Sequence, residues 1–337
     1  MNPIQPLQPP ATLREINVVE PVSPALEHVK RMLFRPFDLG KWFVIGFCAW
    51  LSCLGETGSS FSGGNCFGNH SGRSGTDFRH ALDQARDYLL NNLDWIIPLA
   101  AFLIVVILGL VLLFLWLNSR GKFMFLHCVA LDRAEVTGPW NQFATEANSL
   151  FWFRLGLGFT GMILTLPLLG FIAVMILKMI YRGEPDVGGI VTAIGLGLGL
   201  FLVAMVFGII KKFTVDFVVP IMRLRRSKCL AAWREFYSLL AAHFWQFVLY
   251  VLFQIVLGMA IGALIVMVVL VTCCCAGCLM ALPYLGTVLL LPVLVFKRAY
   301  PLYFLAQFGP EYDVFPPPSA APPSPGLPPM PAAPPVM

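Results

Sequence analysis

The sequence is short of charge. Asp, Glu, Lys and Arg supply 12% of its 337 residues, where a soluble domain carries roughly a quarter. A water-covered surface over most of the chain is thereby excluded. A second absence lies inside the apolar runs, none of which carries Asp, Glu, Lys, Arg or His near its middle. Ion-coupled transporters and proton relays place such groups there, so neither is expected. Gly-x-Ser-x-Gly, His-Glu-x-x-His and phosphate-loop patterns are missing, and with them the usual signs of an enzyme. No enzyme, cofactor or resident metal is expected. The net charge of +5 clusters beside apolar runs rather than on one face, which argues against nucleic acid. The first forty residues also lack the basic, apolar and small-residue sequence of a cleavable leader.

What is present is apolar. Hydrophobic residues make up 58% of the chain and the mean hydropathy is +0.77. The expectation is an all-α membrane protein with six transmembrane helices, in repeated units of an interfacial amphipathic helix plus a helical hairpin. Residues 1–23 read as a disordered arm, 24–313 as the membrane domain and 314–337 as a Pro-rich disordered tail. The expected spans are 39–56, 95–117, 155–177, 188–210, 247–271 and 279–296. The first is short, and reaches across only with Lys41 snorkelling. Pro283 and Pro292 should bend the sixth. Between the first two spans lies a Gly/Ser-rich loop with a short surface helix near 78–89.

Lysine and arginine fix the expected orientation. The N-terminal arm, the second and fourth connections and the C-terminal side hold eighteen of them, against five on the other side. Both termini are therefore expected on the cytoplasmic face. The tail "FPPPSAAPPSPGLPPMPAAPPVM" should sample polyproline II, and could dock a cytoplasmic partner.

One phrase occurs twice. "WNQFATEANSLFW" (Trp140–Trp152) and "WREFYSLLAAHFW" (Trp233–Trp245) align Trp140 with Trp233, Phe143 with Phe236 and Trp152 with Trp245. Each copy precedes two apolar runs. On a helix, the first Trp and Phe share a face that suits the headgroup layer, where Trp is favoured. Trp140, Phe143, Trp152, Trp233, Phe236 and Trp245 are thus expected to be interfacial anchors. Arg223, Arg225, Arg226, Lys228 and Arg234 beside the second copy suit anionic lipid. The lipid bilayer is the partner this pattern implies.

Two further patterns stand out. Gly195 with Gly199, and Gly258 with Gly262, have the small-x-x-x-small spacing that lets membrane helices approach closely. "TCCCAGC" places Cys275 and Cys278 as a C-x-x-C after Cys273 and Cys274. That spacing allows a disulfide or redox pair; a tight turn of small residues is the plainer reading. Cys66, His70 and His80, scattered in the Gly-rich loop, give only a weak metal hint, and Cys66 could instead pair with Cys53 near the membrane edge. Cys48, Cys128 and Cys229 read as packing.

The phrases "RPFDLGKWFVIGF", "SRGKFMFLHCVALDRAEVTGPWNQFATEANSLF", "DFVVPIMRLRRSKCLAAWREF" and "LPYLGTVLLLPVLVFKRAYPLYFLAQFGPEY" resemble an uncharacterised bacterial family of six-span membrane proteins, over about residues 20–313. More distantly, the chain is similar to the membrane domain of some glycerophosphoryl diester phosphodiesterases. Their catalytic domain has no counterpart here, so the resemblance implies an inner-membrane home and no activity. A non-enzymatic envelope or scaffold component is the leading expectation. A transporter-like protein for a neutral or lipidic substrate comes second, and a thiol redox protein third.

Overall fold

A computed structural model describes residues 16–35, 37–54, 92–182, 187–272 and 282–315. The arm before residue 16, the loop with its expected helix, Cys273 to Cys278 and most of the Pro-rich tail lie outside the described residues. Among the described residues the regular structure is helical throughout. The helices are α1 (Val22–Phe34), α2 (Leu39–Cys53), α3 (Leu93–Leu131), α4 (Thr137–Gln142), α5 (Ala144–Arg182) and α6 (Val187–Phe213). A π-helical turn (Thr214–Val218) leads into α7 (Val219–Arg225). Then follow α8 (Cys229–Ala242), α9 (Phe244–Val271), α10 (Pro283–Leu289) and α11 (Leu291–Ala306).

Among the described residues, four stretches are long and apolar enough to cross a membrane: Asp94–Leu131, Ala144–Lys178, Val191–Arg225 and Phe244–Val271. They correspond to the second through fifth expected spans. Their most apolar windows are almost wholly unburied by protein, as suits side chains facing lipid tails. The outer two expected spans have a different form. Helix α2 has 15 residues and measures about 22 Å, short of the roughly 30 Å hydrocarbon layer. The sixth is interrupted at Leu290, where α10 ends and α11 begins. Pro292 enters the first turn of α11 and cannot donate into the helical ladder.

The buried core lies at one end of these shafts. The C-terminal part of α3, the start of α5, the π turn with α7, and the start of α9 meet there, closed over by α1, α8 and α11. Antiparallel alternation brings those ends together. Phe217 stacks on Phe236 at 5.3 Å and meets Phe247 edge-on at 5.2 Å. Tyr250 stacks on Phe304 at 4.8 Å. Aromatic pairs in these geometries add to plain area burial.

The two segments around the repeated phrase share local features. Phe123 stacks on Phe143 as Phe217 stacks on Phe236. Nine residues after Phe123 and after Phe217, Asp132 and Arg226 end their helices in the left-handed conformation. The segments differ in where the following helix breaks. In the first copy the break falls at Phe143, and in the second at His243.

Helix contact at close range falls on glycines outside the two spaced pairs. A Cβ at Gly121 would lie 2.6 Å from the Leu51 carbonyl carbon, so α3 crosses α2 backbone to backbone. At Gly46 it would meet Val288 Cγ2 at 2.8 Å. At Gly195, Gly258 and Gly262 it would meet nothing within 4 Å, and at Gly199 only Leu168 Cδ2 at 3.5 Å.

Candidate functional site: a cationic cavity at the core end

The π turn has a visible cause. Pro220 sits at the start of α7, so it cannot donate to Asp216, and its ring crowds that carbonyl. The chain widens by one residue per turn there, a common device at functional sites. The widened turn carries Asp216 into the core end, 8% exposed. Three groups hold it. Lys212 Nζ lies 2.9 Å from Asp216 Oδ2. The Tyr250 hydroxyl donates to the same oxygen at 2.9 Å, and Gln254 donates to Tyr250 at 3.3 Å. Arg298 Nη1 donates to the Val215 carbonyl at 2.7 Å.

Around this turn lies a cavity of about 590 Å³ between α2, α3, α6, α9 and α11. Lys122, Lys211, Lys212, Lys297 and Arg298 line it, and Asp216 is the one carboxylate among its described lining residues. It runs up α9 as far as Leu257 and Ile261. A second cavity, of about 400 Å³, lies between α5 and α6 and shares Lys122, Gly208, Lys211 and Val215 with the first. Its remaining walls include Leu157, Gly158, Val203 and Phe207. Arg154 also lines it, and donates to Asn118 and Ser119.

The repeated phrase splits between core and surface. Phe143 and Phe236 are buried, and Trp140 and Trp233 pack half-buried against the core. Trp140 and Trp116 flank the Arg120 guanidinium at 4.8 and 4.5 Å, a cation–π pair of contacts. Trp152 and Trp245 face outward, 68% and 77% exposed. The helical face that sequence assigned to the headgroups is thus mostly turned inward, and the outer Trp of each copy is free to meet lipid.

The thiols are brought together where spacing gave no hint. Cys48 and Cys128 sit with their sulfurs 3.8 Å apart in the α2–α3 contact. Burial pushes the Cys229 thiol up to about 12. Cys275 and Cys278 lie outside the described residues. No group of three or more possible metal ligands occurs among the described residues.

Sequence reasoning missed the cavity. Its five cations come from three separate helices, α3, α6 and α11. One signal was legible: Asp216 four residues after Lys212, the spacing of a helical ion pair.

No curated protein and no solved structure matches the chain. A family model does, over residues 16–290. That match spans four of the five described stretches and the start of the last, including α10. The chain therefore belongs to a family of unknown function, DUF7544.

Proposed function

We propose that this protein is a non-enzymatic membrane scaffold that gathers anionic lipid at one bilayer face. The observation that carries this reading is the cationic cavity, set at the packed end of four bare apolar shafts. Basic pockets between membrane helices on the cytoplasmic side suit anionic headgroups. Exposed Trp152 and Trp245 at the same end suit the interface. Within the same proposal, α2 and the α10–α11 pair complete six spans, and the repeated segments descend from one unit. The shared stacked pairs and left-handed helix ends support that descent. A bacterial inner membrane with both termini cytoplasmic belongs to it too, on the lysine and arginine asymmetry. The Pro-rich tail would dock a cytoplasmic partner.

A transporter-like role for a lipidic substrate is the second reading, favoured by the reach of the cavity to Ile261. A lipid-movement assay separates the two. The protein is reconstituted in vesicles with fluorescent phosphatidylglycerol in both leaflets, and dithionite is added outside. A scaffold leaves the inner-leaflet fluorescence intact, as in protein-free vesicles. Loss of the inner-leaflet signal would overturn the scaffold in favour of transport.

A further inference from the structure

Helix α8 lies across the apolar shafts rather than along one of them. Its first residue, Cys229, donates its backbone N–H to Ser149 Oγ near the start of α5 at 3.0 Å. Midway, Phe236 meets Phe213, the last residue of α6, at 5.5 Å. At its far end a single residue, His243, separates it from α9. Its 14 residues reach about 21 Å, and packed helices lie about 8–10 Å apart. A helix of that length touches the ends of three shafts only by crossing them, so α8 runs near the bilayer plane.

The two faces of α8 differ. Ala232 and Phe236 are buried on the inner one. Leu230, Arg234, Tyr237 and Ala241, spaced four, three and four residues apart, share the outer one, and all are exposed. Leu230 and Tyr237 are 73% and 67% exposed. Apolar and aromatic side chains collected on one open face mark a contact surface. That face is continuous with the lipid-facing flanks of the shafts at both ends. Leu230 and Lys228 line one surface cavity with the outward Trp152 of α5. Past the other end, the outward Phe244 and Trp245 open the bare flank of α9. Lys228 and Arg234 stand exposed on the same helix end and face, the charge that suits anionic headgroups.

We propose that the outer face of α8 is a membrane-surface contact, with Leu230 and Tyr237 set into the headgroup layer of an anionic bilayer and Lys228 and Arg234 against its phosphates. This deepens the scaffold reading and rests on it. The contact is made away from the cationic cavity, and by the face of α8 opposite to Phe236. An amphipathic helix held in the interface plane has this distribution of apolar and basic groups, and the long arginine stem lets its charge reach the headgroups from the apolar side.

The test places photoreactive benzoylphenylalanine at Leu230, Tyr237 or Arg133 of the full chain, one at a time, in vesicles of equal phosphatidylglycerol and phosphatidylcholine. Leu230 and Tyr237 are mostly exposed, so neither replacement disturbs the core. Arg133, exposed past the end of α3, is the control. Adducts formed on irradiation are read by mass spectrometry. Lipid adducts are expected at Leu230 and Tyr237, with phosphatidylglycerol exceeding phosphatidylcholine on the order of fivefold, the equivalent of one basic residue at an anionic surface. Combining Lys228→Glu with Arg234→Glu should erase that preference and leave the melting temperature in detergent unchanged. Lys228→Arg with Arg234→Lys, which keeps both charges, should retain it. Protein adducts without lipid at Tyr237, to a second copy or within the chain, overturn the proposal. So do lipid adducts as frequent at Arg133 as at Tyr237, or equal yields of the two lipids. If Leu230 and Tyr237 take up no lipid yet phosphatidylglycerol still gathers around the protein in whole bilayers, this contact fails and the scaffold stands.

Discussion

Tyr250 donates its hydroxyl to Asp216 Oδ2 at 2.9 Å, tying the first turns of α9 to the π turn at the end of α6. Tyr250 is fully buried and Asp216 nearly so. The bond is thus a buried, charge-assisted one, stronger than a neutral pair. Tyr250→Phe removes the donor and keeps the ring stacked on Phe304 and Tyr300. A loss of about 1–3 kcal/mol is expected, read from chemical or thermal unfolding in detergent. With Asp216→Asn, a double-mutant cycle should show non-additive losses, because both changes break one contact. Additive losses would mean the bond contributes little.

Gly121 gives a second prediction. Gly121→Ala would press a methyl onto the Leu51–Ser52 peptide, and backbone cannot rotate aside as a side chain can. The expected cost is about 1–3 kcal/mol, in the range of other overpacking changes. Gly195→Ala is the control, because a methyl there meets nothing within 4 Å. It should be neutral or stabilising by up to about 1 kcal/mol, the helix preference of Ala over Gly. Melting temperatures of the two variants decide the matter, and equal shifts would contradict the close crossing.

The glycines show what sequence could and could not reveal. Four of the six expected spans were legible from run length alone, because bilayer thickness sets that length. Small-residue spacing pointed to Gly195, Gly199, Gly258 and Gly262, yet the tight crossing is at Gly121, inside "NSRGKF". No spacing rule marks a lone glycine, since its partner is the backbone of another helix 70 residues earlier in the chain. The cavity was hidden for the same reason. Lys122, Lys211 and Lys297 are each an ordinary end-of-span cation in sequence, and only the packing of three helix ends puts them in one room.

The split of the repeated phrase can be measured. Phe236→Ala removes a fully buried ring that touches Phe213, Phe217, Trp233 and Phe247. It should cost about 3–5 kcal/mol. Trp245→Ala removes a mostly exposed side chain and should leave unfolding within about 0.5 kcal/mol. Comparable destabilisation by both would contradict the inward turn of Phe236.

Stability should fall in mild acid. Burial lowers the His28 pKa, opposed by its hydrogen bond to the Val129 carbonyl, which raises it. Above the unfolded value, roughly 6.5, both states hold neutral imidazole and the shift contributes nothing. As pH falls below that value, the unfolded chain takes up a proton that the folded chain resists, and stability drops. His28→Gln keeps a donor for Val129 and removes the titration. Between about pH 7 and pH 5 wild type should lose more stability than the variant, with the gap opening through the histidine range. Parallel pH profiles would rule His28 out.

The most direct test of lipid gathering is electron paramagnetic resonance of spin-labelled lipid around wild-type protein in phosphatidylcholine bilayers. The fraction of motionally restricted label is compared for phosphatidylglycerol and phosphatidylcholine, at low salt and at about 1 M, where screening acts within about 3 Å. The expected result is a larger restricted fraction for phosphatidylglycerol, with the part of the excess outside the cavities shrinking in high salt. Equal fractions for the two lipids at low salt would contradict a scaffold that gathers anionic lipid.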